Sequence, residues 1–156
     1  MIWIWIGLAG VVLLLLIVLA AWLLLVRHDF VPEAVARFRL NRPNLEQGYF
    51  EAASASGKPR GLRWKAVEWT PGVEFGRERK TGRLAALVGV TIQFEAIEGG
   101  DMEGVAAVSN LRNASAVFFY HQRQWHTTGM TIFNLNPDEA LRHFKNQYEP
   151  VPVRGS

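Results

Sequence analysis

The stretch "EAIEGGDMEGV", residues 95–105, sets four carboxylates, Glu95, Glu98, Asp101 and Glu103, within nine residues around a Gly-Gly pair. Clustered carboxylates serve two chemistries. They ligate hard cations through oxygen, or two of them act as general acid and base. A calcium loop orders its ligands as D-x-[DN]-x-[DN]-G-x5-E, and this stretch lacks that order. Glycine pairs and acids also build hydrated turns, because glycine admits φ > 0 and carboxylates hold water. That turn is the commoner role. His121 and His126 flank "QRQW". If a hairpin turns at 122–124, its strands bring the two imidazoles near each other. A zinc site would then need a carboxylate, Glu95 or Asp101, as a further ligand. His121, His126, Glu95 and Asp101 are therefore the candidate metal ligands, against the commoner role of surface histidines on a hairpin. The sequence names no cofactor.

Other chemistries find no support. The chain has no cysteine, which excludes thiol nucleophiles, thiolate metal sites and disulfides. No GxSxG elbow occurs. "SASGKPRG", 54–61, contains Gly-Lys without the spacing that cradles phosphates. "GRERKTGR", 76–83, is basic but has no interleaved aromatic rings, so a nucleic-acid partner is not expected and a charged hairpin tip is.

These residues must be held by recognisable elements. "VGVTIQFEA" alternates, with Val88, Val90, Ile92, Phe94 and Ala96 on one face and Glu95 on the other, as a strand with one buried face requires. "LRWKA" and "VEF" read as strands, "AVFFYH" as a central strand and "QWHTTGMTIF" as a strand weakened by Gly129. "TPG" at 70–72 and "KTG" at 80–82 read as turns, and "HQRQ" as a hairpin tip. Pro32 opens a short basic segment, with Val31, Val35 and Phe38 on one face. That segment lies along a membrane interface or packs on the domain. Pro43 opens a second helix near 43–54, carrying Leu45, Tyr49, Ala52 and Ala53. At the C-terminal side, Asn136, Pro137 and Glu139 predict a capped helix, with Ala140, Leu141, Phe144 and Tyr148 in one stripe and Pro150 as its stop.

Residues 2–26 carry no charge. Twenty apolar residues suffice to cross a hydrocarbon core of about 30 Å, so this run predicts a transmembrane anchor. Trp3, Trp5 and Trp22 would sit at the two interfaces, and Arg27, Arg37 and Arg39 at the membrane edge that follows. The arginines favour a cytoplasmic domain. From Arg27 to Lys65 there are eight Lys or Arg against four Asp or Glu, a basic excess nearest the bilayer.

The expected organisation is an anchor over 1–26, a basic juxtamembrane segment over 27–42, an α+β domain over 43–150 and a tail over 151–156. The fold class is α+β, an antiparallel sheet with helices on one face. A cystatin-like or NTF2-like cone and a PH-like barrel are the analogies that the element order allows. The strings "FVPEAVARFRL", "SGKPRGLRW", "FEAIEGGDME" and "NLNPDEALRHF" resemble a family of uncharacterised bacterial single-pass membrane-anchored proteins. The resemblance covers most of the chain outside the anchor and implies no activity. Three readings follow. The first is a non-enzymatic module with the lipid bilayer and a protein as partners. The second is a small-ligand-binding or enzymatic cone on a tether, and the third a structural envelope protein.

Overall fold

A computed structural model describes residues 13–19 and 30–153 of the 156. The chain forms two compact units, Met1–Phe30 and Val31–Ser156. In the first, residues 13–19 are helical with exposed side chains. Most of the expected anchor, with Trp3, Trp5, Trp22 and Arg27, lies outside the described residues. Among those described, no helix is long and apolar enough to cross a membrane.

The second unit is α+β. Helix α1 spans Val31–Ala55, strand β1 Leu62–Glu78 and strand β2 Leu84–Ala96. A single 3-10 turn over Ala106–Ser109 precedes β3, Arg112–His121. Strands β4, Gln124–His126, and β5, Thr131–Phe133, helix α2, Pro137–His143, and strand β6, Tyr148–Pro150, complete it. All pairings are antiparallel. The order is β4-β3-β2-β1-β6, and β5 continues beside β3 where β4 stops. No ladder joins the two edges among the described residues, so the sheet is open rather than a closed barrel.

The expected break at residue 43 is absent, and α1 runs through Pro43. Proline removes one helical N–H and normally kinks or ends a helix. Here both halves are pinned to the same sheet face, by Val31, Ala34, Val35 and Phe38 before Pro43 and by Tyr49 and Ala53 after it. Between them Arg42 reaches the Pro71 carbonyl at 2.8 Å, the Thr70 carbonyl and the Glu46 carboxylate at 2.7 Å. The amphipathic start of α1 thus packs on the domain.

"TPG" is a bulge instead of a turn. Between Trp69↔Val90 and Val73↔Val88, β1 advances four residues while β2 advances two. Pro71 is tolerated because β6 pairs β1 only at Gly76–Glu78, so no ladder there needs its N–H. Thr70 Oγ1 donates to the Gly89 carbonyl at 3.1 Å, and a Cβ at Gly89 would lie 2.5 Å from that hydroxyl. The "KTG" turn and the hairpin tip form as expected. Gln122 and Arg123 both have positive φ, 49° and 62°, as a two-residue hairpin turn of right-handed twist demands.

The helices cover opposite faces, not one. β2 and β3 are apolar on both sides near "LAALV" and "SAVFF", so both sides need cover. α1 lies over Leu84, Ala86, Val88, Val90, Ala116 and Phe118. α2 lies over Ala85, Leu87 and Val117 through Ala140 and Leu141. The capping signal at Asn136 holds, with the Asn136 N–H donating to Glu139 Oε2 at 3.0 Å. The helix stops at His143, well before Pro150. Tyr148 leaves the stripe and pairs with Glu78 as β6, because the free edge of β1 supplies ladder partners and Tyr148 buries its ring beside Leu141.

Candidate functional site

The acidic stretch ends β2 and enters an exposed connection. Glu95 pairs with Arg63 across β1 at 3.5 Å, both partly in water. Glu103 Oε2 accepts the Gly99 N–H at 2.8 Å, which closes the turn on itself. Glu98, Asp101 and Glu103 are exposed. His121 and His126 are exposed as well, and the register sets them on different rungs: His121 opposes Gln124, and His126 opposes Phe119. Among the described residues no group of three or more His, Asp or Glu could hold a metal ion. The candidate ligands His121, His126, Glu95 and Asp101 are not brought together, because β3 separates its two ends by ten residues and the acids leave from the opposite end of β2.

The face beneath α1 is filled with rings. Phe38 stands edge-on to Phe75, Phe118 and Trp125, with centroids 5.8, 5.5 and 5.0 Å apart. Tyr49 does the same with Trp64 and Trp69, at 6.1 and 5.3 Å. Edge-to-face pairs place positive ring edges on negative ring faces, which adds about 0.5–1.5 kcal/mol per pair to the burial itself. The polar atoms within this layer are satisfied. Tyr49 Oη bonds Thr131 Oγ1 at 2.6 Å, and Trp125 Nε1 donates to the Ala34 carbonyl at 2.7 Å. Burial pushes the Tyr49 phenol up to about 12, against a smaller opposing pull from Thr131. A neutral, inert hydroxyl is the result.

A second kind of surface lies where α1 meets the β3–β4 hairpin. A groove of about 370 Å³ is lined by Arg37, Asn41, Asn44, Arg123 and Gln124 over a floor of Leu45 and Trp125. Its walls come from successive turns of α1 and from the hairpin tip. Glu33, in the first turn of α1, holds both guanidiniums: Arg123 Nη2 at 2.7 Å and Arg37 Nη2 at 3.0 Å. Those two bonds, Arg123 first, hold the Glu33 carboxyl below the usual carboxylate range, and Glu33 raises Arg123 in return. The lining offers guanidinium and amide donors but no nucleophile with an adjacent base. Donors of this kind match the oxygens of carboxylates and phosphates in geometry.

Of the residues assigned to the membrane edge from sequence, Arg37 is in this groove and Arg39 is exposed on α1. Arg123, Asn41, Asn44 and Gln124 carry no local signal. The hairpin tip within 122–124 was legible, but its positive-φ pair and the register that lays the tip against Glu33 were not. No protein-family model, curated protein or solved structure matches this chain.

Proposed function

We propose that the chain is a membrane-tethered, non-enzymatic interaction module, in which the apolar run of residues 2–26 holds the α+β domain at a bilayer and the domain engages a protein partner. The observation that carries this reading is the filled face beneath α1. A cone-shaped domain that binds a metabolite keeps an apolar cavity there with a few convergent polar groups. Here Phe38, Tyr49, Phe118 and Trp125 occupy that space, fully or almost fully buried, and their polar atoms are bonded within the protein.

The tether rests on the uncharged run and its flanking tryptophans, and the cytoplasmic side on Arg27, Arg37 and Arg39. The resemblance to bacterial single-pass proteins agrees with it. The long helix followed by a meander accords with the cone analogy in shape alone, and shape does not dictate activity.

Two measurements on the full chain test this reading. Thermal denaturation against a panel of metabolites and divalent metals should move the midpoint by less than about 1 °C. A ligand at 100 times its Kd adds about 2.7 kcal/mol, several degrees for a domain of this size, and a shift of that kind overturns this reading in favour of a small-ligand-binding or enzymatic domain. Alkaline carbonate extraction should leave the chain in the membrane pellet, and its release would remove the tether.

A further inference from the structure

The two ends of the sheet differ in charge. At one end lie the β1–β2 turn, the β3–β4 turn and the turn between α2 and β6. The register fixes this, since Arg77 opposes Leu84, Leu84 opposes Tyr120, and Arg79 N–H donates to the Gln147 carbonyl at 2.8 Å. The first turns of α1 lie at the same end, tied by Glu33 to Arg123 and by the Ala34 carbonyl to Trp125. This end carries Arg37, Arg77, Arg79, Lys80, Arg83, Arg123 and Lys145 against Glu33, Glu78 and Glu149, seven cations less three anions, net +4. The opposite end carries Lys58, Arg60, Arg63, Lys65 and Arg112 against Glu51, Glu95, Glu98, Asp101 and Glu103, five cations and five anions, net zero.

The basic end is also where the chain enters the domain. Val31, the first residue of α1, belongs to it, and four residues separate α1 from the apolar run in the sequence. Its charges reach water: Arg123 is 74% exposed, Arg79 52%, and Lys80 and Lys145 are exposed. The donor-lined groove of Arg37, Asn41, Asn44, Arg123 and Gln124 opens beside it and suits a phosphate oxygen. We infer that this end of the domain is a docking surface for anionic lipid headgroups, which lays the two hairpin turns on the bilayer. The inference rests on the tethered reading above and names the surface that faces the membrane. Clustered Lys and Arg gain from an anionic leaflet only within a Debye length, so the turns and not the far end should respond to it.

The absence of cysteine makes the test clean. Thr81→Cys, in the β1–β2 turn, and Glu98→Cys, at the far end, each carry one fluorophore on the full chain. The chain is placed in nanodiscs of phosphatidylcholine, with or without phosphatidylglycerol, and a neutral aqueous quencher reports accessibility. Anionic lipid should lower quenching at position 81 and leave position 98 unchanged, and high salt should reverse the change. Lys80→Gln with Lys145→Gln, two exposed lysines, should weaken the protection roughly fivefold per lost charge, at an unchanged melting temperature.

Equal quenching at position 81 in both membranes overturns the inference while the tether stands. So does an equal drop at position 98, or protection of position 81 by an added oligonucleotide without anionic lipid. If the chain fails to enter neutral discs, the tether reading falls by itself. Salt-reversible flotation with phosphatidylglycerol vesicles then still supports the surface, and no flotation removes it.

Discussion

The two faces of one sheet are built in different ways. Under α1 lies a deep aromatic layer, held by a helix of 25 residues. Under α2 a smaller, mainly aliphatic layer of Ala85, Leu87, Val117 and Ile132 meets Ala140 and Leu141 of the helix, with the Tyr148 ring closing it and Phe119 and Phe144 at its margin, and the helix has only seven residues. A helix that short has little stability of its own, so capping and the chain that follows it must keep it in place. The Ser115 hydroxyl, fully buried on this face, donates to the Leu135 carbonyl at 2.8 Å and ties the approach to α2. The first face therefore depends on shape and the second on connections.

The largest effect should come from Phe38→Ala. Phe38 is 1% exposed and touches three other rings. Removing it should cost about 3–5 kcal/mol and lower the melting temperature by roughly 10–20 °C in calorimetry. Leu141→Ala on the other face should cost about 2–3 kcal/mol by urea titration, since the short helix can settle into part of the space. Equal losses at the two positions would erase the contrast between the faces.

Alkaline pH separates the faces further. The Tyr49 pKa of about 12 in the folded state stands above the ordinary value of 10, so folding resists its ionisation. The stability from the neutral phenol is complete below about pH 10 and falls by about 1.4 kcal/mol per pH unit up to about pH 12. Denaturant midpoints of the wild type and Tyr49→Phe across that window should show a slope that the variant lacks in part. Tyr148, buried on the second face, is also raised, by burial first and by Glu78 next, and adds to the slope in the same direction. The smallest effect belongs to Glu139→Ala, which removes the bond to the Asn136 N–H and should cost about 0.5–1 kcal/mol in the same titration.

Where one periodicity or one local bond decides the conformation, the sequence was enough to read it. The alternation of Val88, Val90, Ile92 and Phe94, the cap at Asn136 and a hairpin tip within 122–124 are of this kind. Where two segments meet, local rules misled. Pro43 reads as a helix start, yet burial on both sides of it holds a single helix together. "TPG" reads as a turn until Arg42 supplies donors for its carbonyls. Tyr148 fits the α2 stripe, but a strand edge competes for it and wins. The acidic stretch was legible as a hydrated turn, whereas the groove depended on the pairing of Glu33 with Arg123, 90 residues apart.

The bulge at Thr70 and Pro71 has a consequence for how copies of the chain behave beside one another. Among the described residues the outer edge of β1 before Phe75 has no ladder partner, and a bare edge of that kind is a template for strand-by-strand growth. This one is blunted. Arg42 occupies two of its carbonyls, Pro71 offers no N–H, and Lys65 is the extra residue of a second bulge between Trp64 and Ala66. An incoming strand finds neither a continuous row of hydrogen-bonding groups nor a flat ribbon to align with. Crowding these domains together should therefore give discrete complexes instead of fibres.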